Sequence, residues 1–75
     1  MTKEFGFLWL MEMKLGLEAN LRLAMAHHVE KFGTVATVCN ANPEDLKGEV
    51  VVVDGVKMLP VKGCLKEHLF VGREI

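Results

Sequence analysis

Four consecutive valines followed by Asp-Gly constrain this chain more than any other feature of its sequence. Val50 to Val53 are β-branched, and such side chains lose rotamer freedom in a helix but pack well on a pleated strand. Asp54-Gly55 follows at once, and both residue types accept the positive φ angles of a type I′ turn. We therefore predict a β-hairpin over residues 49–61. Because no polar residue interrupts the valine run, we expect both faces of its strand to be covered.

Residues 17–32 predict the helix that covers one of these faces. Apolar residues recur three and four positions apart and form one stripe, which includes Leu17, Leu21, Ala24, Met25, His28, Val29 and Phe32. Gly33 follows as a residue suited to end the helix. The other side of the helix carries Ala19, Leu23 and Ala26. This second apolar surface indicates a helix–helix contact between subunits. The alternative is that the alanines are present only because alanine has a high helix propensity.

Residues 1–15 form an apolar segment that we predict to be a strand. Its large apolar side chains occupy alternate positions: Phe5, Phe7, Trp9, Met11, Met13 and Leu15. Leu8 and Leu10 break the alternation, and the segment is rich in good helix formers, so a helix is the alternative. In either form we expect the segment to pack on the core or on a second subunit. It is therefore a candidate for the second cover of the valine hairpin.

Three shorter elements complete the predicted fold. Residues 34–39 are rich in β-branched side chains and predict a strand, and residues 68–72 predict another. Asn42 is a natural N-cap ahead of Pro43, so we predict a short helical turn near residues 43–47. The order of elements predicts a single α+β domain over residues 1–75. One amphipathic helix packs on a small mixed or antiparallel sheet in this domain.

The apolar content of the chain predicts association with another protein surface. The chain has 75 residues, 51% of them hydrophobic, and so small a domain has too little interior to bury them all. We expect a homodimer, a larger oligomer or a protein partner. The interface candidates are Phe5, Phe7, Trp9, Ala19, Leu23 and Ala26. The alternative is that the exposed apolar residues are scattered singly, as on many proteins.

Charge and hydropathy disfavour two other classes of partner. The net charge is −1, with acidic and basic residues mixed, so we expect no nucleic acid partner. No stretch reaches the ~20 apolar residues of a membrane helix, and we expect no membrane association. The N-terminal run does not have the pattern of a signal peptide. We therefore expect a cytoplasmic protein whose two cysteines are free thiols.

The cysteines and histidines are the residues that most suggest site chemistry. A zinc site would have to assemble distant residues, namely Cys39, Cys64, His68 and either His27 or His28. The chain has no Cys-x₂-Cys spacing, which is typical of structural zinc sites. Cys39 lies shortly before a predicted helical turn, and a thiol near the N-terminus of a helix can have a lowered pKa. From the sequence, however, no general base can be placed beside Cys39. The simpler interpretation is a small core cysteine and a packed His28, so we expect no metal, no cofactor and no enzymatic activity.

Several short motifs resemble, in their order, a piece of a phage major-capsid-protein domain over residues 17–72. They are the helix, Phe32-Gly33-Thr34, a strand, Asn42-Pro43-x-Asp45-Leu46, the valine strand and Phe70-Val71-Gly72. This resemblance implies a structural or assembly role of phage origin. From the residues themselves we predict a small, non-enzymatic interaction or assembly module that associates with itself. A Cys/His metal-binding or thiol-dependent protein and a phage-derived structural fragment are the alternatives.

Overall fold

Five strands and one long helix make up most of the chain in the computed structural model, which describes residues 4–74 and the side chains of residues 6–73. The strands are β1 (Glu4–Leu10), β2 (Val38–Ala41), β3 (Val52–Val53), β4 (Val56–Pro60) and β5 (His68–Glu74). The helices are α1 (Leu17–Phe32) and the short α2 (Pro43–Leu46), and a 3₁₀ turn spans Met13–Leu15. The predicted α+β class is confirmed.

The helix α1 has the bounds that its sequence pattern predicts. Its core side is formed by buried residues three or four positions apart, which include Leu21, Ala24, Met25 and His28. Gly33 ends the helix in a left-handed conformation with a φ of 73°, and its N–H donates to the Val29 carbonyl oxygen at 2.8 Å. A residue with a Cβ is strained in that conformation. The glycine therefore sets the end of the helix.

The strands form one mixed sheet in the order β1-β5-β2-β4-β3. The neighbours β2 and β4 are parallel, and the other neighbouring pairs are antiparallel. The register aligns one core row across four strands: Phe7, Val71, Cys39 and Met58. These residues belong to the same apolar cluster as the buried side chains of α1. The helix therefore packs on one face of the sheet.

The predicted hairpin is present, but its valine strand is covered on only one face. The Asp54-Gly55 turn has positive φ at both residues, 50° and 81°, and β3 pairs antiparallel with β4 across it. Val51 and Val53 are 9% and 2% exposed, whereas Val50 and Val52 are 72% and 50% exposed. The expectation of cover on both faces is wrong for the described chain. A strand turns alternate side chains to opposite faces, and α1 covers only one of them.

The N-terminal segment is a strand, as predicted, but it does not cover the hairpin. β1 pairs with β5 in unbroken antiparallel register from Glu4 opposite Glu74 to Leu10 opposite His68. This pairing places β1 at the edge of the sheet opposite β3. The strand ends at Leu10, and Met13–Leu15 turn instead of continuing it. The second cover that we expected from residues 1–15 is therefore not supplied by β1.

The shorter elements lie close to their predicted positions. β2 begins at Val38 instead of Thr34, so residues 34–37 connect α1 to the sheet without forming a strand. Asn42 caps α2 as predicted, because its side-chain oxygen accepts a hydrogen bond from the Glu44 N–H at 2.8 Å. β5 extends past the predicted end at residue 72 to Glu74. These differences leave the predicted order of elements unchanged.

Candidate interaction surfaces

The face of the sheet that α1 leaves uncovered is largely apolar. The register aligns one row on this face across four strands: Leu8, Phe70, Asn40 and Leu59. Alternation along the strands places Leu10, Val38 and Val52 on the same side. We call this surface the open face and define it by its apolar residues, Leu8, Leu10, Val38, Val52, Leu59 and Phe70.

Much of the open face is accessible to solvent. Its more exposed residues are between 44% and 67% exposed, namely Leu8, Leu10, Val52 and Leu59. Val38 and Phe70 are half-buried. Fully burying one Leu or Val side chain stabilises a protein by about 1.5–3 kcal/mol. A contiguous surface of this kind typically marks contact with another protein.

Polar side chains interrupt the open face without placing a charge at its centre. Asn40 lies on the middle strand, and its neutral amide can both donate and accept hydrogen bonds. Lys57 lies near the β3 edge, opposite Val52. His68 donates its Nδ1–H to the Lys66 carbonyl oxygen at 2.9 Å. The centre of the open face therefore carries no charged side chain.

The predicted interface residues at the N-terminus lie on the α1 side of the sheet. Phe7 and Trp9 are half-buried. The Phe7 ring centroid lies 6.2 Å from that of His28, and the Trp9 ring lies 4.8 Å from that of His27. The side chain of Phe5 lies outside the described residues. The role of these aromatic residues in an interface stays a prediction.

The outer side of α1 carries the other predicted interface residues, Ala19, Leu23 and Ala26. Leu23 and Ala26 are exposed, whereas Ala19 is half-buried. Glu18 and Arg22 lie beside them and form an exposed ion pair at 3.8 Å. This apolar strip is narrower than the open face and is interrupted by charges. It is the weaker of the two candidate surfaces.

Asn20 is a fully buried polar residue that sequence reasoning missed. Its Oδ1 accepts hydrogen bonds from the Glu12 N–H at 2.8 Å and the Trp9 indole N–H at 3.3 Å. Its Nδ2 donates to the carbonyl oxygens of Glu12 at 2.8 Å and Gly16 at 2.6 Å. One side chain therefore ties β1, the 3₁₀ turn and α1 together. The available sequence signal was its position three residues after Leu17, on the apolar stripe of the helix.

The two cysteines lie in different environments. Cys39 is fully buried, and this burial, with a smaller contribution from Cys64, raises the pKa of its thiol from 9.0 to about 12. Cys39 is therefore a neutral thiol at physiological pH, and a neutral thiol is a poor nucleophile. Cys64 is half-buried after β4, with its Sγ 3.6 Å from the Asn40 carbonyl oxygen. The environment of Cys39 is that of a core residue.

The candidate metal ligands do not converge on one point. Cys39 and Cys64 are close enough to interact electrostatically. His28 instead donates its Nδ1–H to the Thr34 carbonyl oxygen at 2.7 Å, which matches the prediction of a packed histidine. His68 is engaged with its own loop. Within residues 4–74, no three His, Cys, Asp or Glu side chains form a group that could hold a metal ion.

The acidic residues of α2 hold the loop that connects β4 to β5. Asp45 Oδ2 accepts a hydrogen bond from the Glu67 N–H at 2.6 Å, and Glu44 pairs with Lys66. The hydrogen bond with Glu44, supported by its charge, raises the pKa of the Lys66 ammonium group. These carboxylates have structural partners, which accounts for the acidic stretch without a bound cation.

A cavity of about 370 Å³ lies between the 3₁₀ turn, α1 and α2. Its polar lining residues are Asn20, Asp45, Lys47 and Glu49. The amide of Asn20 is already engaged in the hydrogen bonds to Glu12, Gly16 and Trp9. The described lining includes no serine, threonine, cysteine or histidine. The cavity therefore lacks the pair of nucleophile and imidazole base that covalent catalysis commonly uses.

Comparison with known proteins gives no family assignment. No protein-family model, curated protein or solved structure matches this chain. The resemblance to phage major capsid proteins stays a prediction from short motifs. Across the described part of the chain, neither helix has the length and apolar character needed to cross a membrane.

Proposed function

We propose that this protein is a small, non-enzymatic interaction or assembly module that associates with itself through the open face. The observation that supports the proposal is an apolar sheet face that no segment within residues 4–74 covers. α1 packs on the opposite face, and β1 lies within the sheet instead of across it. Apolar sheet faces are normally buried against another layer. In this protein a second subunit supplies that layer.

The size of the open face suits a weak dimer. Five strands of about 4.8 Å each make the sheet roughly 24 Å wide, and the strands average five residues, or about 17 Å in length. The footprint is therefore roughly 400 Å² before side-chain corrugation, against about 800 Å² of accessible surface per partner in a standard interface. We expect a dissociation constant in the micromolar range.

The chemistry of the open face suits a second copy of the chain. A two-fold contact uses the same surface on both subunits, so each residue near the axis faces its own copy. Asn40 lies in the central strand, and an amide can donate to and accept from an identical amide. Stacked sheets lie about 10 Å apart with interdigitated side chains. The leucines and valines of the open face provide that packing.

The proposal places the protein in a reducing compartment, for which we favour the cytoplasm. Cys39 and Cys64 are both free thiols, which suits that environment. The net charge of −1 supports a protein partner over a nucleic acid.

Sedimentation velocity from submicromolar to millimolar concentration tests the proposal. We expect a monomer at the low end and a dimer at the high end. Leu59→Lys places a charge on the open face and is expected to weaken the dimer at least tenfold, because burying an unpaired ammonium group is costly.

The matched control is Leu65→Lys. Leu65 is also an exposed leucine, 56% exposed, but it lies in the loop between β4 and β5. We expect this variant to associate like the wild type. A monomer at every concentration would reject self-association. An equal effect of the two substitutions would reject the open face as the contact.

A further inference from the structure

Asn40 is the polar member of the central row of the open face. The register places it between Phe70 of β5 and Leu59 of β4, with Leu8 at the end of the row. Asn40 is half-buried, and within the described residues no hydrogen bond engages its side-chain amide. An amide in contact with solvent is satisfied by water. When a second layer covers the open face, that water is removed and the amide needs another partner.

The other polar side chains that the strands place on the open face within residues 6–73 lie outside this row. Lys57 precedes Leu59 by two residues on β4, and His68 precedes Phe70 by two residues on β5. β4 runs parallel to β2, whereas β5 runs antiparallel to it, so Lys57 and His68 lie on opposite sides of the row. The row itself therefore has one directional polar group with apolar neighbours on both sides.

Apolar packing alone would not determine how two open faces meet. Hydrophobic burial has no preferred direction, so two faces of leucine and valine can shift past each other at little cost. In a shifted register, however, each Asn40 amide faces an apolar side chain of the copy and loses its water without compensation. A single asparagine at a core position fixes the register and the oligomeric state of coiled coils in this way.

We propose that Asn40 lies beside the two-fold axis of the dimer and restricts the dimer to one register. The inference rests on the proposed function, because it takes the open face of a second copy as the cover. A residue beside the axis faces its own copy. Sheets packed face to face lie about 10 Å apart, so two asparagine side chains that each extend about 3.5 Å leave roughly 3 Å between their amides. Each amide then donates a hydrogen bond to the other and accepts one from it.

Charge complementation between two variants tests the position of Asn40. Asn40→Asp and Asn40→Lys each set like charges opposite each other, so we expect each variant alone to associate at least tenfold more weakly than the wild type. An equimolar mixture sets a carboxylate opposite an ammonium group. We expect sedimentation velocity to show a heterodimer whose dissociation constant is within tenfold of the wild-type value. Circular dichroism checks that each variant folds.

The same pair of substitutions at Leu10 is the matched control. Leu10 belongs to the open face and is 67% exposed, but it lies at the β1 edge of the sheet. We expect a mixture of Leu10→Asp and Leu10→Lys to associate no more tightly than either variant alone. Equal restoration at residues 10 and 40 would show a general attraction between opposite charges and would overturn the inference. A wild-type dimer without restoration at residue 40 would also overturn it but would leave self-association standing, whereas a monomeric wild type would overturn both proposals.

Asn40→Leu tests the restriction to one register. This substitution removes the directional group and adds apolar surface, so we expect the variant to associate at least as tightly as the wild type. We also expect its dimer to give more than one set of NMR signals for the open face, whereas the wild-type dimer gives one set. A tight Asn40→Leu dimer with a single set of signals would overturn the role of Asn40 in the register.

Discussion

Asn20 provides the most direct test of how this fold is held together. Its side chain makes four hydrogen bonds that connect β1, the 3₁₀ turn and α1. The substitution Asn20→Ala removes all four and leaves their partners in place. These partners are the Glu12 N–H, the Trp9 indole N–H and the carbonyl groups of Glu12 and Gly16. The backbone segment that connects β1 to α1 thereby loses the side chain that holds it in place.

The expected loss of stability follows from the number of hydrogen bonds lost, since the Gly16 carbonyl oxygen keeps the backbone N–H of residue 20 as a partner at 3.2 Å. A buried polar group that loses its hydrogen bond costs about 1–3 kcal/mol, and these four bonds are partly buried, so about 1 kcal/mol each is appropriate. The total is about 4 kcal/mol. A domain of 75 residues has a free energy of unfolding of about 4–11 kcal/mol. We therefore expect Asn20→Ala to lose a third or more of the stability, and at the low end of that range to be largely unfolded.

Urea unfolding measured by fluorescence and circular dichroism is the assay. Trp9 is the one tryptophan of the chain and bonds to Asn20, so its emission reports on this region. Circular dichroism supplies a second probe that does not depend on the indole environment. The protein concentration is kept well below the dimer dissociation constant. The control is Asn40→Ala, which removes a half-buried amide from the open face and is expected to change monomer stability by about 0.5 kcal/mol or less.

A loss below about 1 kcal/mol for Asn20→Ala, similar to that of Asn40→Ala, would refute the reasoning. It would mean that water replaces the amide at no cost or that the four groups find new partners. A large loss seen by fluorescence but not by circular dichroism would also count against it, because the change would then be local to the indole.

Three further predictions concern the thiols and a close strand contact. The raised pKa of Cys39 makes its neutral form favourable to the fold, so its contribution to stability is full below pH 9 and falls as the pH rises toward 12, by up to about 4 kcal/mol. Thermal unfolding should show a steeper decline in the wild type than in Cys39→Ala, in which Lys66 still loses its charge and its pairing with Glu44. Equal pH slopes would contradict this prediction. A thiol reagent at neutral pH should modify Cys64 far faster than Cys39 until the chain is unfolded, whereas equal rates would show that Cys39 is accessible. Gly6→Ala should destabilise the chain by about 1–3 kcal/mol, because the added Cβ would overlap the Val71 carbonyl oxygen. Gly63→Ala, which meets nothing within 4 Å, is its control in the same urea assay.

The sequence implies that an apolar face of the sheet stays uncovered, but it does not show which residues form that face. Leu8 and Leu10 interrupt the alternation of Phe7 and Trp9, so β1 is apolar on both faces, and the valine run is apolar on both faces as well. Strands of this kind, in a chain with one long helix, imply that some apolar surface stays uncovered. The pattern does not show which alternate set faces the helix, because both sets are apolar. The interface candidates Phe7 and Trp9 proved to lie on the α1 side.

The candidate metal and thiol chemistry depended even more on tertiary structure. Cys39, Cys64, His28 and His68 are dispersed along the chain, so spacing alone does not show whether they meet. The fold places His28 beside Thr34 and buries Cys39 in the core. These are ordinary structural positions for both residues. Only the folded structure shows that His28 and Cys39 occupy such positions.

Local sequence was sufficient for the elements whose bounds depend on residues a few positions apart. Gly33 ends α1, Asp54-Gly55 turns the hairpin and Asn42 caps α2, because each acts through its own φ angle or through a hydrogen bond to a near neighbour. The exposure of alternate valines, the edge position of β1 and the burial of Asn20 depend on contacts between distant parts of the chain. β1 finds its partner in β5, at the other end of the sequence. The sequence of a strand does not identify the strand with which it pairs, because backbone hydrogen bonds between strands are nearly independent of the side chains.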